Sequence, residues 1–384
     1  MDGACVGASN LLLPELSGVL MLNSDKPKYQ ALKDYLIETI KEEKLKPGEQ
    51  IQSENELAEK FGISRHTVRQ AIGELVNEGW LYRTQGKGTF VDRRPDVKST
   101  PSKIIGVMTT YLNDYIFPSI IRGIDSVLSS DGYNIFLCCT YNQQEKERLC
   151  LENLLHQKID GLIVEPTKSA LPNSNLDLYR ELSAQGIPIL FIHGCYHRLD
   201  YSYVIEDDRL GGYLAAKHLF ELGHRKVGGI FKIDDQQGHG RFEGFQNAYK
   251  EAGIQLLDSS VLWFDTGEMD FKFNSDSNGY IREFLSGRSA VVCYNDQIAV
   301  KVMDIIRGMG LAVPEDISVV SFDDSHIAVA SEPKLTTIAH PKESLGIKAA
   351  EAMLQMIERK VNYFDVKISP ELIVRDSTKA VRLE

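Results

Sequence analysis

Apolar residues recur at helical spacing near the start of the chain, then give way to short apolar runs separated by longer mixed stretches. Leu32, Leu36, Ile37 and Ile40 predict an amphipathic helix from Lys28 to about Glu43, which Lys46-Pro47-Gly48 stops. Ser53 followed three residues later by Glu56 has capping-box spacing and predicts a short helix through Phe61, ended by Gly62. Ser64 caps a third helix with Val68, Ala71, Ile72, Leu75 and Val76 on its inner face. Trp80–Thr84 and Thr89–Val91 then read as a hairpin around Gln85-Gly86-Lys87-Gly88. Three helices followed by a β-wing make a winged helix-turn-helix.

Beyond residue 102 the texture changes. Strand-like runs appear at Ile104–Thr109, Asn134–Cys138, Gly161–Val164, Pro188–Ile192, Val227–Ile230, Ala290–Cys293 and Ile317–Phe322. Helical stretches separate them, including Pro118–Ser130, Glu145–His156, Leu210–Leu222, Arg241–Ala252, Asp296–Met309 and Ser344–Ile357. Alternating β and α elements predict parallel sheets covered on both faces, and this much chain suits two Rossmann-like lobes. The fold class expected is therefore an α/β effector domain of two such lobes with an N-terminal winged helix-turn-helix domain. The boundaries read as an extension over residues 1–24, the winged helix over 25–91, a polar, proline-broken linker over 92–102 and the α/β part over 103–384.

Composition refines this picture at two points. The 384-residue chain carries a formal net charge of −11, which at first argues against a nucleic-acid partner. Ser24–Arg94 nevertheless holds 13 Lys and Arg against 12 Asp and Glu, leaving 30 against 42 for the rest. An acidic body with a locally basic module is compatible with DNA binding, because the field at the contact face is what matters. Cys5, Cys138, Cys139, Cys150, Cys195 and Cys293 show no metal-ligand spacing and read as reduced, buried thiols. The apolar stretch before Met21 has no Lys or Arg ahead of it and is broken by Pro14, Glu15 and Ser17, so a cytoplasmic protein without membrane insertion is expected. Residues 1–20 read as an optional extension before Met21.

Arg65, His66, Thr67 and Arg69 stand on the outer face at the start of the third helix. A helix enters the major groove N-terminus first, so its first outward residues reach base edges or phosphates. Arg65 or Arg69 can bridge guanine O6 and N7, and Thr67 suits a phosphate or a thymine methyl. A solvated helix face is the alternative for the arginines, and a plain surface role for His66. Gly86 and Gly88 let the wing approach a backbone closely. The stretch KPGEQIQSENELAEKFGISRHTVRQAIGELVNEGWLYRTQGKGTFV resembles the N-terminal domain of GntR-type bacterial regulators. That resemblance implies double-stranded operator DNA as partner, with Asn55, Arg65, Thr67, Arg69, Gln85 and Gly86 at or near it. Lys87 belongs to the same wing. Gln52 stands where a proline is usual, and Asn55 replaces an arginine seen in some members, which bears on the operator read.

In open parallel sheets ligands sit beyond the C-terminal strand ends. Thr110, Tyr111, Tyr115, Glu165, His193, Asp207, Gln237, Arg241, Asn295, Asp296, Asp323, Asp324 and His326 follow the apolar runs and are the pocket candidates. Carboxylates and amides suit adjacent hydroxyls, and a flat ring suits the apolar face of a sugar. Asp296 and Asp324 also suit helix capping, and Tyr111 could pack against a loop. This chemistry by itself specifies a small polyhydroxylated ligand. Segments such as IIGVMTTYLNDYIFPSIIRGI, DDRLGGYLAAKHLFELGHRKVGGI and CYNDQIAVKVMDIIRGMGLAVPEDISVVSFDD resemble the LacI/GalR-type effector domain, which is periplasmic-binding-protein-like. The resemblance implies that Arg241 clamps sugar hydroxyls, with Asn295 and Asp323 adding polar contacts, and puts His193 and His340 where pocket residues often occur. The pairing of a GntR-type reader with a LacI-type sensor is similar to arabinose-responsive repressors, which implies L-arabinose as effector. A homodimer is expected, because a symmetric DNA site makes a two-fold dimer the natural reader.

No catalytic residue, metal site or cofactor is expected, since no Walker loop, zinc spacing or nucleotide fingerprint is present. Two other readings stay open: the same architecture answering to another sugar or a sugar phosphate, and a sugar-processing enzyme using Glu165, His193 or Asp323 as acid or base.

Overall fold

A computed structural model describes residues 27–381 apart from 43, 78, 85–86, 93–100, 113–115, 197–198, 200, 275–277, 359–360 and 362. The chain divides into two compact units, the second beginning at Pro101.

In the first unit α1 (Lys28–Lys41), α2 (Glu54–Phe61) and α3 (Arg65–Asn77) precede a hairpin of β1 (Leu81–Thr84) and β2 (Gly88–Val91). The capping box forms as spaced. Ser53 Oγ accepts from Glu56 N, and the Glu56 carboxylate accepts from Ser53 N at 2.8 Å. Gly62 closes α2 in the left-handed region at φ 59°, where a side chain would be strained. Ser64 Oγ accepts from Thr67 N and so caps α3. Leu32, Leu36, Leu57, Val68, Ala71, Ile72 and Leu75 meet Leu81 and Val91 in one core, so the hairpin folds back on the helices.

The second unit holds two six-stranded sheets. Its elements are β3 (Ile104–Thr109), α4 (Phe117–Leu128), β4 (Asn134–Cys139), α5 (Gln144–His156), β5 (Gly161–Val164), α6 (Leu176–Ala184), β6 (Ile189–Ile192), β7 (Ser202–Glu206), α7 (Asp208–Glu221), β8 (Val227–Lys232), α8 (Gln236–Glu251), β9 (Val261–Phe264), α9 (Met269–Phe273), α10 (Gly279–Leu285), β10 (Ala290–Cys293), α11 (Asp296–Gly308), β11 (Ser318–Asp323), α12 (His326–Ala330), β12 (Thr336–Ala339), α13 (Lys342–Ile357), β13 (Asp365–Ile368) and β14 (Glu371–Ile373). The first sheet runs β13-β7-β6-β5-β3-β4 and is wholly parallel. The second runs β14-β12-β11-β10-β8-β9 and is parallel except where β14 meets β12. Strand alternation divides the first lobe's core: Ile105 and Val107 pack with α4 and α13, whereas Met108, Leu162 and Phe191 pack on the opposite face.

The chain passes between the lobes after β7, after β12 and after β13. Sequence reading passed over five strands: β7, β9, β12, β13 and β14. Of these, β9, β13 and β14 lie at sheet edges and alternate or are half-exposed, while β12 is rich in threonine. Burial of the thiols is less complete than expected. Cys293 is buried, but Cys138, Cys139, Cys150 and Cys195 are half-buried free thiols, the first two because β4 is an edge strand. Cys5 lies outside the described residues.

Candidate functional site

Arg65, His66 and Arg69 are exposed along the first turns of α3, and Asn55 is exposed on α2. Thr67 is half-buried, its hydroxyl 2.8 Å from Ser64 Oγ. Arg69 shares the Glu54 carboxylate with Arg83 of the wing, at 3.1 and 3.5 Å. Exposed Lys87 turns the hairpin, its carbonyl accepting from Gln50 Nε2 at 3.0 Å. At Gly88 the positive φ of 127° favours glycine. Gln85 and Gly86 lie outside the described residues. One face thus presents helix N-terminal N–H groups, two arginines and a lysine, the equipment of a major-groove reader.

The second unit encloses a cavity of about 170 Å³ between its lobes. Thr110, Tyr111, Phe117, Asn142, Glu165, Ser169 and His193 line it from the first lobe, and Lys232, Asp235, Gln237, Arg241, Phe264, Thr266, Tyr294, Asn295 and Asp323 from the second. Thr110, Glu165, His193, Asn295 and Asp323 sit just beyond strands or at a strand's last residue, as parallel topology requires. His193 and Asp323 hold left-handed backbones at φ 63° and 99°. Non-glycine residues there cost on the order of 1–3 kcal/mol and gather at ligand clamps.

Arg241 comes from the second turn of α8 and reaches the cavity because α7 and α8 pack backbone to backbone. A methyl group at Gly212 would overlap the Arg241 carbonyl, and one at Gly244 would overlap that of Arg209. The buried guanidinium donates to Asp208 Oδ1 at 2.9 Å and to the Tyr294 carbonyl at 2.6 Å, lies 3.7 Å from Asp323 Oδ1, and stacks 4.3 Å from the centre of the Phe322 ring. Burial opposes its charge, yet Asp208 and Asp323 raise its pKa above the usual value. Burial in turn pushes the Asp208 carboxyl up to about 6 against the pull of Arg241. Lys232 is likewise held between Asp235 at 3.1 Å and Asp234 at 3.4 Å, and their charges overcome burial to raise its pKa. Asp235 also accepts from Tyr294 Oη at 2.6 Å; burial would raise its carboxyl, but Lys232 and this hydroxyl hold it low.

On the facing wall, Glu165 accepts from Thr110 N at 2.7 Å and Thr110 Oγ1 at 2.5 Å, and its other oxygen lies 3.0 Å from His193 Nδ1. The lobes meet directly around the cavity. Asn142 donates to Thr266 Oγ1 at 2.7 Å, Gln236 N donates to Ser169 Oγ at 2.9 Å, and Cys195 N donates to Gln236 Oε1 at 3.0 Å.

Among the described residues, five of the expected pocket residues do not line the cavity: Asp207, Asp296, Asp324, His326 and His340. Asp207 caps α7 by accepting from Leu210 N at 3.0 Å, while the next residue, Asp208, turns to Arg241. His340 is buried behind His193, with their Nε2 atoms 2.9 Å apart. Tyr115 lies outside the described residues. Asn295 lines the cavity and also caps α11 through Ile298 N at 3.0 Å. Asp296 is buried as an acceptor for Ser321, Ser325 and Thr337. Sequence reading passed over Asn142, Ser169, Lys232, Asp235, Thr266 and Tyr294. Lys232 and Asp235 carried a signal, since β8 runs straight into them. The others lie in polar turns or among apolar neighbours.

Residues 28–91 match the bacterial regulatory proteins of the gntR family, and residues 216–378 match a periplasmic binding protein-like domain. Two relatives named "Arabinose metabolism transcriptional repressor", from Halalkalibacterium halodurans and Geobacillus stearothermophilus, are each 44% identical to the chain. The alignments cover 93% and 92% of this chain and 98% of each relative. The chain belongs to the arabinose metabolism transcriptional repressor family. The repressor is also similar to a periplasmic binding protein/LacI transcriptional regulator from Alkaliphilus metalliredigens QYMF, solved in complex with D-xylulofuranose. That match has 25% identity and a TM-score of 0.62, over 72% of this chain and 99% of that one. The repressor thus joins a GntR-type head to a LacI-type effector domain. Among its described residues no helix is long and apolar enough to cross a membrane.

Proposed function

We propose that this repressor binds operator DNA of arabinose-utilisation genes as a homodimer in the cytoplasm and releases it on binding L-arabinose. The charge pairing of the cavity carries the effector reading. Both cations in its wall, Lys232 and Arg241, are committed to carboxylates of the protein, and Glu165 adds a further acceptor. A phosphorylated sugar would need a cation to spare, whereas neutral hydroxyls can donate to carboxylates and accept from the fixed N–H groups. A volume of about 170 Å³ lies well under the roughly 300 Å³ at which drug-sized pockets begin, which favours a single sugar ring. Phe117, Phe264 and Tyr111 supply apolar surface for its C–H face. The names of the 44%-identical relatives support arabinose within that class.

DNA contact is assigned to Asn55, Arg65, His66, Thr67, Arg69, Gln85, Gly86 and Lys87. Effector contact is assigned to Thr110, Tyr111, Tyr115, Glu165, His193, Arg241, Asn295 and Asp323, with no catalytic role for any of them. Calorimetric titration of the full chain with L-arabinose, D-xylose, D-galactose and glucose 6-phosphate tests this. Saturable binding of L-arabinose and silence with the phosphate ester are expected. Tighter binding of glucose 6-phosphate would overturn the neutral-sugar reading. Sugar and operator affinities must also be linked reciprocally, so unchanged sugar affinity on operator-bound protein would overturn release as the mechanism.

A further inference from the structure

Four buried side chains form a line from the cavity wall to the points where the chain crosses between lobes. Glu165 follows β5, His193 follows β6, His340 follows β12 in the crossing to α13, and Glu206 ends β7 at another crossing. Glu165 Oε1 lies 3.0 Å from His193 Nδ1, His193 Nε2 lies 2.9 Å from His340 Nε2, and His340 Nε2 lies 3.7 Å from Glu206 Oε2. Each of the four is less than one-tenth exposed.

Hydrogen-bond chemistry fixes where the protons sit. Glu165 Oε2 already accepts from Thr110 N and Oγ1, and an ionised carboxylate can only accept. His193 Nδ1 is therefore the donor to Oε1, and in a neutral ring Nε2 is then the acceptor. The proton between the two histidines belongs to His340 Nε2. That leaves His340 Nδ1 as a bare lone pair, which agrees with its having no hydrogen-bond partner among the described residues. We propose that His340 is a positioning residue for the effector site: its Nε2–H holds His193 in the tautomer that keeps Glu165 an acceptor facing the ligand, and it ties this wall to an interlobe crossing. The proposal rests on the cavity being the effector site and deepens that reading, since His340 acts from behind the wall.

The two rings answer a further proton differently: at His193 Nε2 it would set two N–H groups against each other at 2.9 Å, whereas at the bare His340 Nδ1 it leaves the link in place and creates a buried donor with no acceptor among the described residues. The titratable and charged groups nearest this line are Glu165, Glu206, Asp208, Arg241, Asp323 and Lys342, and burial pushes the Glu206 carboxyl well above its usual range. Burial first, then His193, Lys342 and Arg241, hold the His340 pKa well below the ordinary 6.5. His340 is accordingly neutral near neutral pH, with its Nδ1 lone pair bare.

The test uses the full chain, with L-arabinose as the probe. His340→Gln keeps an amide donor near Nε2 and can rotate to present its oxygen, whereas His340→Met keeps volume and has no donor. Removing the donor strands a buried acceptor, so His340→Met is expected to weaken arabinose binding about tenfold or more at pH 7.5. His340→Gln should stay within about threefold. Nitrogen-15 spectra of histidine-labelled, sugar-free protein should show His193 protonated at Nδ1 and His340 at Nε2. His193 protonated at Nε2 would overturn the proposal, as would His340→Met binding arabinose with unchanged affinity. Failure of the parent protein to bind arabinose would strike the ligand assignment alone, because the tautomers are read without sugar. Should His340→Met not fold, the tautomers and the arabinose affinity of His340→Gln still decide.

Discussion

Arg69 and Arg241 both hydrogen-bond a carboxylate, at 3.1 and 2.9 Å, yet the two pairs have little else in common. The Arg69 side chain is 65% exposed and its partner Glu54 29%, whereas Arg241 is 3% exposed and Asp208 13%. An exposed pair contributes roughly 0–1 kcal/mol and can be exchanged for a DNA phosphate or base with little loss. A buried guanidinium cannot be exchanged, because every neighbour has been arranged around its charge. The DNA-reading head therefore keeps Arg65, Arg69 and Lys87 on the surface for use, and the effector domain commits Lys232 and Arg241 inside to orient acceptors. One region is tuned by ionic strength, the other by protonation and shape.

The largest effect expected from this contrast is at Arg241. Arg241→Met should abolish measurable arabinose binding and destabilise the effector domain by about 3–5 kcal/mol, since Asp208 and Asp323 are left buried without their counter-charge. Urea unfolding followed by the effector domain's tryptophan, Trp263, would read the loss. A change below about 1 kcal/mol, the size typical of a surface pair, would erase the distinction between the two arginines.

Protonation gives the next effect. Burial, helped by Asp323, raises the Asp296 carboxyl from 3.8 to about 6. A raised acid pKa means that the folded state binds the extra proton, so this contribution is complete below pH 3.8 and lost as the pH rises through about 6. Asp296→Asn should remove that slope, on the order of 2–3 kcal/mol between those limits. The amide can replace the carboxylate without stranding Ser325 N, its oxygen accepting there while its nitrogen donates to the Ser321 and Thr337 hydroxyls. Parallel pH titrations of stability for parent and variant would check this; curves of identical shape would show that Asp296 does not titrate in this range. In the head the sign is opposite. Hydrogen bonds from Ser53 hold the Glu56 carboxyl low, so the capping box weakens as pH falls.

The same contrast explains what could be read in advance. The head was legible nearly to the residue, because caps and turns are local: Ser53 with Glu56, Gly62 and Ser64 each act within three or four residues of chain. The strand-end rule brought Thr110, Glu165, His193 and Asp323 to one cavity, because parallel topology sets direction before any contact is known. Asp207 shows the limit of that rule, since one step along the chain decides between capping a helix and holding Arg241. The helix expected over Arg241–Ala252 omits the first turn of α8, and with it the lobe contact made by Gln236. Asn142, Ser169 and Thr266 are ordinary turn residues until the lobes face each other. The histidine line is the extreme case: His193 and His340 are 147 residues apart in the chain, and neither position alone announces the other.

Arg65 gives the smallest effect and the one that most sharpens the comparison. It is exposed at the first residue of α3, where its loss strands no buried partner, so Arg65→Ala should leave folding and arabinose affinity as they were. Operator affinity should fall by about 1–3 kcal/mol, and the manner of the fall identifies the contact. A phosphate contact weakens all sequences alike and lowers the slope of log affinity against log salt by about 1. A guanine contact instead relaxes specificity at one base pair. Operator titrations at several salt concentrations, repeated with single-base variants, distinguish these outcomes. Unchanged operator affinity at every salt would remove Arg65 from the interface. Arabinose affinity reduced by the same substitution would show that an exposed arginine in the head shapes the cavity, which the separation of surface and buried charge does not allow.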